Sequence, residues 1–296
     1  PDYATLLQLR ALTMLGAAVF TPQAAAAIGW MAPPEQRGRA ITSVFLGWSL
    51  ASVLGMPLHS YIGEAFGWRW AFGLVALLAG LGALWVGRAL PEGVKPPALS
   101  LSRWAEVLTH PVLMAIVLVT ALAGAGQFTL FSYVAPYYRQ VLGAGALEIS
   151  LLFMAFGAWG LAGNLLLSRR IDRIGPARAV RLFLAGIAVG QLLWPLGQSV
   201  MLMLVVMVPW AFGTFATNSA QQARLGAAAP ALAPALLALN TSAIYLGQAI
   251  GAASGGVIVD LQGFGALHGV SLGWTLLAIA LSVWAERRLR RDPDHV

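Results

Sequence analysis

Long, nearly uncharged apolar runs recur along the whole chain, and they restrict its fold more than any other feature. Nine stand out, at residues 5–31, 41–63, 70–88, 110–138, 149–168, 179–197, 199–221, 231–259 and 267–286. Each reaches or approaches the ~20 residues that a helix needs to cross about 30 Å of hydrocarbon. In hydrocarbon every backbone N–H and C=O must find a partner inside the protein, which leaves helices or closed barrels as spanning structures. Runs of this length and continuity predict helices. Only 10% of the residues are charged, against about a quarter in a soluble domain, and the mean hydropathy is +0.76.

Charge placement orients the spans. If the loop after the first span is cytoplasmic, 15 Lys and Arg fall on that side, Arg69 and Arg139 fall opposite, and Arg10 lies inside the first span. Such a bias follows the positive-inside rule, puts the C-terminus in the cytoplasm and supports the span count. It also accounts for the net charge of +7 without nucleic acid. The tail ERRLRRDPDHV reads as an anchor touching anionic lipid heads. With no cysteine, disulfides, thiolate metal sites and cysteine nucleophiles are excluded. The four histidines show no ligand spacing, so no metal site is expected, and no motif implies a cofactor.

A stripe of small residues at every fourth position runs through one span: Gly47, Ala51, Gly55, His59, Gly63, Gly67. Small-xxx-small spacing lets helix backbones approach closely in lipid. Four residues turn a helix by about 400°, so only neighbouring members share a face. Pro57 interrupts the stripe and can bend its helix. The pattern returns 196 residues later as Ala243, Gly247, Gly251, Gly255, Val259, Gly263. Residues 3–90 thus align with 199–286, whereas 110–197 have no internal partner. A complete duplication would place three more helices ahead of Pro1, for twelve in all. The domains expected are a partial N-terminal bundle at 1–90, a cytoplasmic linker at 91–109, a C-terminal bundle at 110–286 and a cytoplasmic tail at 287–296. The linker holds a short amphipathic segment around 101–108.

Several of these segments together resemble the major facilitator superfamily, and within it drug/proton antiporters of the arabinose-efflux-permease type. GWSLASVLGMPLHSYIGEAFGWRWAF is similar to the family's fifth-helix antiporter motif, through Gly47, Gly55, Pro57, Gly63, Gly67, Trp68 and Arg69. LLQLRALTMLGAA resembles the fourth-helix motif, with Arg10 and Gly16. GNLLLSRRIDRIGPAR resembles the C-terminal copy of the cytoplasmic gating-loop motif, with Gly163, Asn164, Arg170, Asp172, Arg173, Gly175 and Arg178. GQFTLFSYVAPYY is similar to the seventh helix of this branch. The resemblance implies an all-α membrane protein of the major-facilitator fold carrying nine of twelve helices, family helices 4–6 and 7–12. It also implies a secondary transporter, exporting a small organic solute or drug in exchange for protons by alternating access. A monomer in a bacterial inner membrane is expected. His59 departs from the pattern, standing where a glycine is usual.

Individual residues carry two readings each. Arg10, a charge inside an apolar run, marks a coupling site facing a cavity or snorkels to the nearby surface. His59 titrates as part of proton coupling or fills a helix contact. Asp172, with Arg173 and Arg178, forms a gate of ion pairs or a solvated basic loop. Gln127, Phe131, Tyr133, Tyr245 and Gln248 line a substrate cavity or hold helices together by hydrogen bonds. No acid lies in mid-membrane, so the sequence names no proton relay. The competing functions are a transport-inactive fragment, a channel, and a membrane receptor or enzyme. Against the enzyme stands the absence of a nucleotide loop, HExxH motif or catalytic dyad.

Overall fold

The computed structural model describes residues 3–31, 33, 47, 51–91, 93, 100–229 and 232–291. All regular structure among them is helical: α1 (Tyr3–Met31), α2 (Met56–Ala65), α3 (Trp68–Ala89), α4 (Leu101–Thr109), α5 (Pro111–Phe131), α6 (Val134–Gln140), α7 (Ala146–Ile174), α8 (Pro176–Leu193), α9 (Val200–Val206), α10 (Val208–Ala228), α11 (Ala233–Gln262) and α12 (Leu267–Arg291). Among the described residues, six stretches are long and apolar enough to span a bilayer, and the bent pair α9–α10 makes a seventh. Of the other two expected spans, 5–31 is helical as α1, and 41–63 is described only at Gly47 and from Ala51 onward.

Prolines and caps decide where the helices begin and break. Pro111 and Pro176 stand in the first turns of α5 and α8, where a missing N–H costs nothing. The His110 side chain accepts from Leu113 N–H at 3.3 Å, and Ser199 does the same for Leu202. The turn between α7 and α8 is Gly175 alone, at φ +77°, a conformation that only glycine adopts without steric cost. Two expected spans are broken rather than continuous. The 110–138 run is interrupted at Ser132–Tyr133, between α5 and α6. The 199–221 run bends by 41° at Met207, because Pro209 cannot donate to the carbonyl four residues before it. Pro57 behaves similarly: a π-helical turn over Ala51–Gly55 directly precedes α2, a common accommodation of a lost helical bond.

The core lies among α5, α7, α8, α10, α11 and α12. α5 is central, packed along α11 and α12, while α10 packs on α7 and α8. The second glycine stripe is the seam between α11 and α5. A Cβ on Gly251 would lie 2.5 Å from the Ala125 carbonyl oxygen, and one on Gly255 would lie 2.5 Å from that of Thr129. The first stripe shows no such seam among the described residues. Gly47 has open space around it, and the nearest atoms to Gly55 and Gly63 are side chains of Ala51 and Ala71, at 3.8 and 3.9 Å. The two stripes match in spacing and differ in what they meet.

Aromatic rings fill the core towards one end of the bundle, where Trp194 stacks on Tyr138 and crosses Trp210 edge-on at 5.5 Å. At the opposite ends the amphipathic α4 closes the bundle, with Val107 fully buried in a cluster with Leu113, Leu225 and Leu236. By contrast only 6% of the most apolar stretch of α3 is buried, against 56% in Pro111–Gln140. Trp70, Leu77 and Trp85 all point outward. In water an apolar surface this continuous is strongly unfavourable, whereas in hydrocarbon it is not.

Candidate functional site

A cavity of about 120 Å³ opens between α5, α7, α10 and α11, with Met56 of α2 at its edge. Helical periodicity assembles it. On α5, Thr120, Ala123, Gly124, Gln127, Phe128 and Phe131 recur at three- and four-residue intervals and share one face. On α10 the same face carries Trp210, Thr214, Thr217, Asn218 and Gln221, and α11 adds Ile244 and Gln248. The aromatic end centres on Phe131, which lies 5.5 Å from Phe128, 5.3 Å from Phe156 and 6.1 Å from Trp210, ring to ring. No ionisable side chain lines the cavity among the described residues.

The polar lining is only partly satisfied. Thr120 Oγ1 donates to Asn240 Oδ1 at 2.6 Å, and Gln221 Nε2 donates to the Ile116 carbonyl at 2.5 Å. Both bonds join helices. Thr214 Oγ1 is turned back onto the Trp210 carbonyl, 2.9 Å away. Thr217 Oγ1, Gln221 Oε1 and Trp210 Nε1 are buried and pair with no described group. Each such orphan costs roughly 1–3 kcal/mol. Three on one cavity wall point to a wet site or one completed by a polar ligand.

Of the residues singled out from the sequence as cavity-lining, Gln127, Phe131 and Gln248 line this cavity and Tyr133 and Tyr245 do not. Tyr133 sits at the α5–α6 break, where its hydroxyl donates to the Ala252 carbonyl at 2.8 Å and its ring lies over Gly255. Sequence reading missed Thr217, Gln221, Trp210 and Phe156. A signal for two of them was present: Thr214, Thr217, Asn218 and Gln221 follow the i, i+3, i+4, i+7 pattern of a single polar stripe.

Arg10 and His59 meet elsewhere, on Phe72 of α3. The Arg10 guanidinium stands 5.4 Å over that ring, and the half-buried His59 meets it edge-on at 6.0 Å. His59 aligns with Gly255 of the second stripe. The histidine fills a contact with a neighbouring helix where the glycine admits a backbone.

The gating-loop residues divide in two. Gly163 is buried, far inside α7, and seats against the Phe212 backbone of α10. Asp172 and Arg173 are exposed in the last turn of α7, and Asp172 makes no ion pair among the described residues. Arg178 lines a separate groove with Arg181, Glu286 and Arg287. At the other end of the molecule, Arg139 of α6 pairs with Glu64 of α2. That pair ties α2 to α6.

Long apolar helices, broken spans, an outward apolar surface and an internal cavity whose described lining carries no charge together define a multi-pass membrane carrier. The family model described as "Major Facilitator Superfamily" matches residues 1–252. The chain belongs to that superfamily of secondary transporters, which are not enzymes. It is 27% identical to the "Inner membrane transport protein YdhP" of Escherichia coli K12, over 100% of this chain and 76% of that protein. It is 28% identical to the "Purine ribonucleoside efflux pump NepI" of the same strain, over 98% of this chain and 73% of that one. Identity to the "Probable sugar efflux transporter" of Helicobacter acinonychis is also 28%, over 94% of this chain and 71% of that protein.

Proposed function

We propose that the protein exports a small, uncharged, hydrogen-bonding organic solute across the bacterial inner membrane by alternating access, in exchange for protons. The observation that carries this reading is the cavity, whose walls offer aromatic faces at one end and unsatisfied amide and hydroxyl groups at the other. A charged solute would be desolvated there without a counter-charge, at a cost of several kcal/mol. A ring with hydroxyl or amide substituents suits both ends. The relatives named for purine ribonucleoside and sugar efflux handle solutes of this kind. The location follows the relative named as an inner membrane protein. Proton coupling rests on the resemblance of the fourth- and fifth-helix motifs to those of antiporters. The Glu64–Arg139 pair would close the outer side, and it must open for the cavity to face outward.

Proteoliposomes containing the purified full-length protein test this. Under an imposed pH gradient they should accumulate a neutral nucleoside or sugar against its concentration. Thr217→Val and Gln221→Leu, close to the native shapes, should each lower kcat/KM about tenfold or more. Solute movement indifferent to every ion gradient would sink the antiport reading. Transport of organic cations with none of neutral solutes would sink the substrate class.

A further inference from the structure

On the side that the positive-inside rule makes cytoplasmic, the first turns of α8 and the last turns of α12 enclose a second, polar concavity. It has a volume of about 330 Å³ and is lined by Arg178, Arg181, Val283, Glu286 and Arg287. Arg181 and Glu286 form an ion pair with side chains only 28% and 11% exposed. Behind them Arg224 of α10, 3% exposed, donates to the Ser282 hydroxyl at 2.8 Å and to its carbonyl at 3.1 Å. That buried cation lies within electrostatic reach of both Glu286 and Arg181. Among the described residues, the guanidiniums of Arg178, Arg181, Arg224 and Arg287 therefore gather about the one carboxylate of Glu286. The carboxylate pairs with Arg181, while Arg178 and Arg287 are exposed on the rim and make no ion pair among the described residues. Among the described residues, an anion is the complement that this arrangement lacks.

Depth identifies which anion. Trp284, 42% exposed on α12, lies within a turn of Glu286 and Arg287, and the Arg288 guanidinium stands 5.7 Å over its ring. An outward tryptophan topped by arginine is a side-chain anchor for the headgroup layer. Val283 gives the groove an apolar side at the same level. We infer that this groove binds the phosphodiester headgroup of an anionic phospholipid from the cytoplasmic leaflet, with Arg178 and Arg287 as the forked donors. Arg181 is held in place by Glu286, and the groove lies apart from the solute cavity and does not depend on what that cavity carries.

Trp fluorescence of the purified full chain in neutral detergent, during thermal unfolding, reads the binding. Phosphatidylglycerol should raise the midpoint by several degrees at concentrations where phosphatidylcholine and inorganic phosphate leave it unchanged. The double variant Arg178→Gln/Arg287→Gln changes exposed residues only and should weaken the phosphatidylglycerol dependence about tenfold. The double Lys variant should keep part of it, and Arg169→Gln on the same membrane face should keep all of it. Equal shifts with phosphatidylcholine, an undiminished shift in the double Gln variant, or an equal loss in Arg169→Gln would overturn the assignment. Displacement of the lipid by millimolar inorganic phosphate would assign the groove to the free ion instead.

Discussion

Substituting Gly251 with alanine puts the α5–α11 seam to a direct test. The added Cβ would stand 2.5 Å from the Ala125 carbonyl oxygen, 2.9 Å from Thr129 N and 3.0 Å from Ala125 Cα. The first distance falls roughly 0.9 Å short of ordinary contact, which begins at 3.4 Å. All three atoms belong to the α5 backbone, so no side-chain rotation relieves the clash. The helices must separate over a turn on either side, and overpacking of this kind costs about 1–3 kcal/mol. Lipid gives no compensating hydrophobic term, because both states of the new methyl are already out of water. Separation would also weaken the neighbouring Thr129–Ser254 contact at 3.0 Å. Gly269→Ala is the control: that glycine on α12 has nothing within 4 Å, so the change should be neutral or gain up to about 1 kcal/mol of helix propensity. Reversible unfolding in mixed micelles measures both. If Gly251→Ala is as stable as Gly269→Ala, the seam is not a close backbone contact and the packing argument fails.

Three further outcomes are expected. Asn240→Ala strands the buried Thr120 hydroxyl and should cost about 0.6–1.7 kcal/mol, read in the same unfolding experiment; no loss would mean that water replaces the amide. Glu64→Gln removes an ion pair whose arginine is 54% exposed, so it should change stability by about 1 kcal/mol or less while favouring the outward-open form. In this cysteine-free chain a single cysteine at Gln127 should then react up to about fivefold faster with an impermeant maleimide from outside, and an unchanged rate would deny the pair a gating role. His59→Gly should lower stability by about 0.5–1.5 kcal/mol through loss of the Phe72 contact and leave the pH profile of transport intact; a shifted profile would make His59 part of the coupling path.

Much was legible before the fold because it is written at short range. The apolar runs give the helices, and the four-residue glycine spacing marks Gly247, Gly251 and Gly255 as a contact face. Each is a property of one segment and its solvent. The amphipathic segment at 101–108 was readable for the same reason and appears as α4 (Leu101–Thr109). Breaks were harder to place. Pro57 and Pro209 are visible as prolines, but whether a helix answers with a π turn, as before Pro57, or a 41° bend, as at Pro209, depends on what is packed around it.

The tertiary structure alone decided which residues share a site. Gln127, Thr217 and Gln248 come from three helices far apart in sequence, and only packing around α5 turns their polar stripes to one cavity. Tyr133 reads much like Gln127 in sequence, yet the break after Phe131 carries it onto α11. The glycine stripes show the same division: one period occurs twice, but only the second copy meets a backbone among the described residues. Arg178 belongs to a loop motif in the sequence and to the rim of an anion groove in space, beside Glu286 more than a hundred residues away. Periodicity specifies a face of a helix. What that face meets is set by long-range packing, which no local pattern encodes.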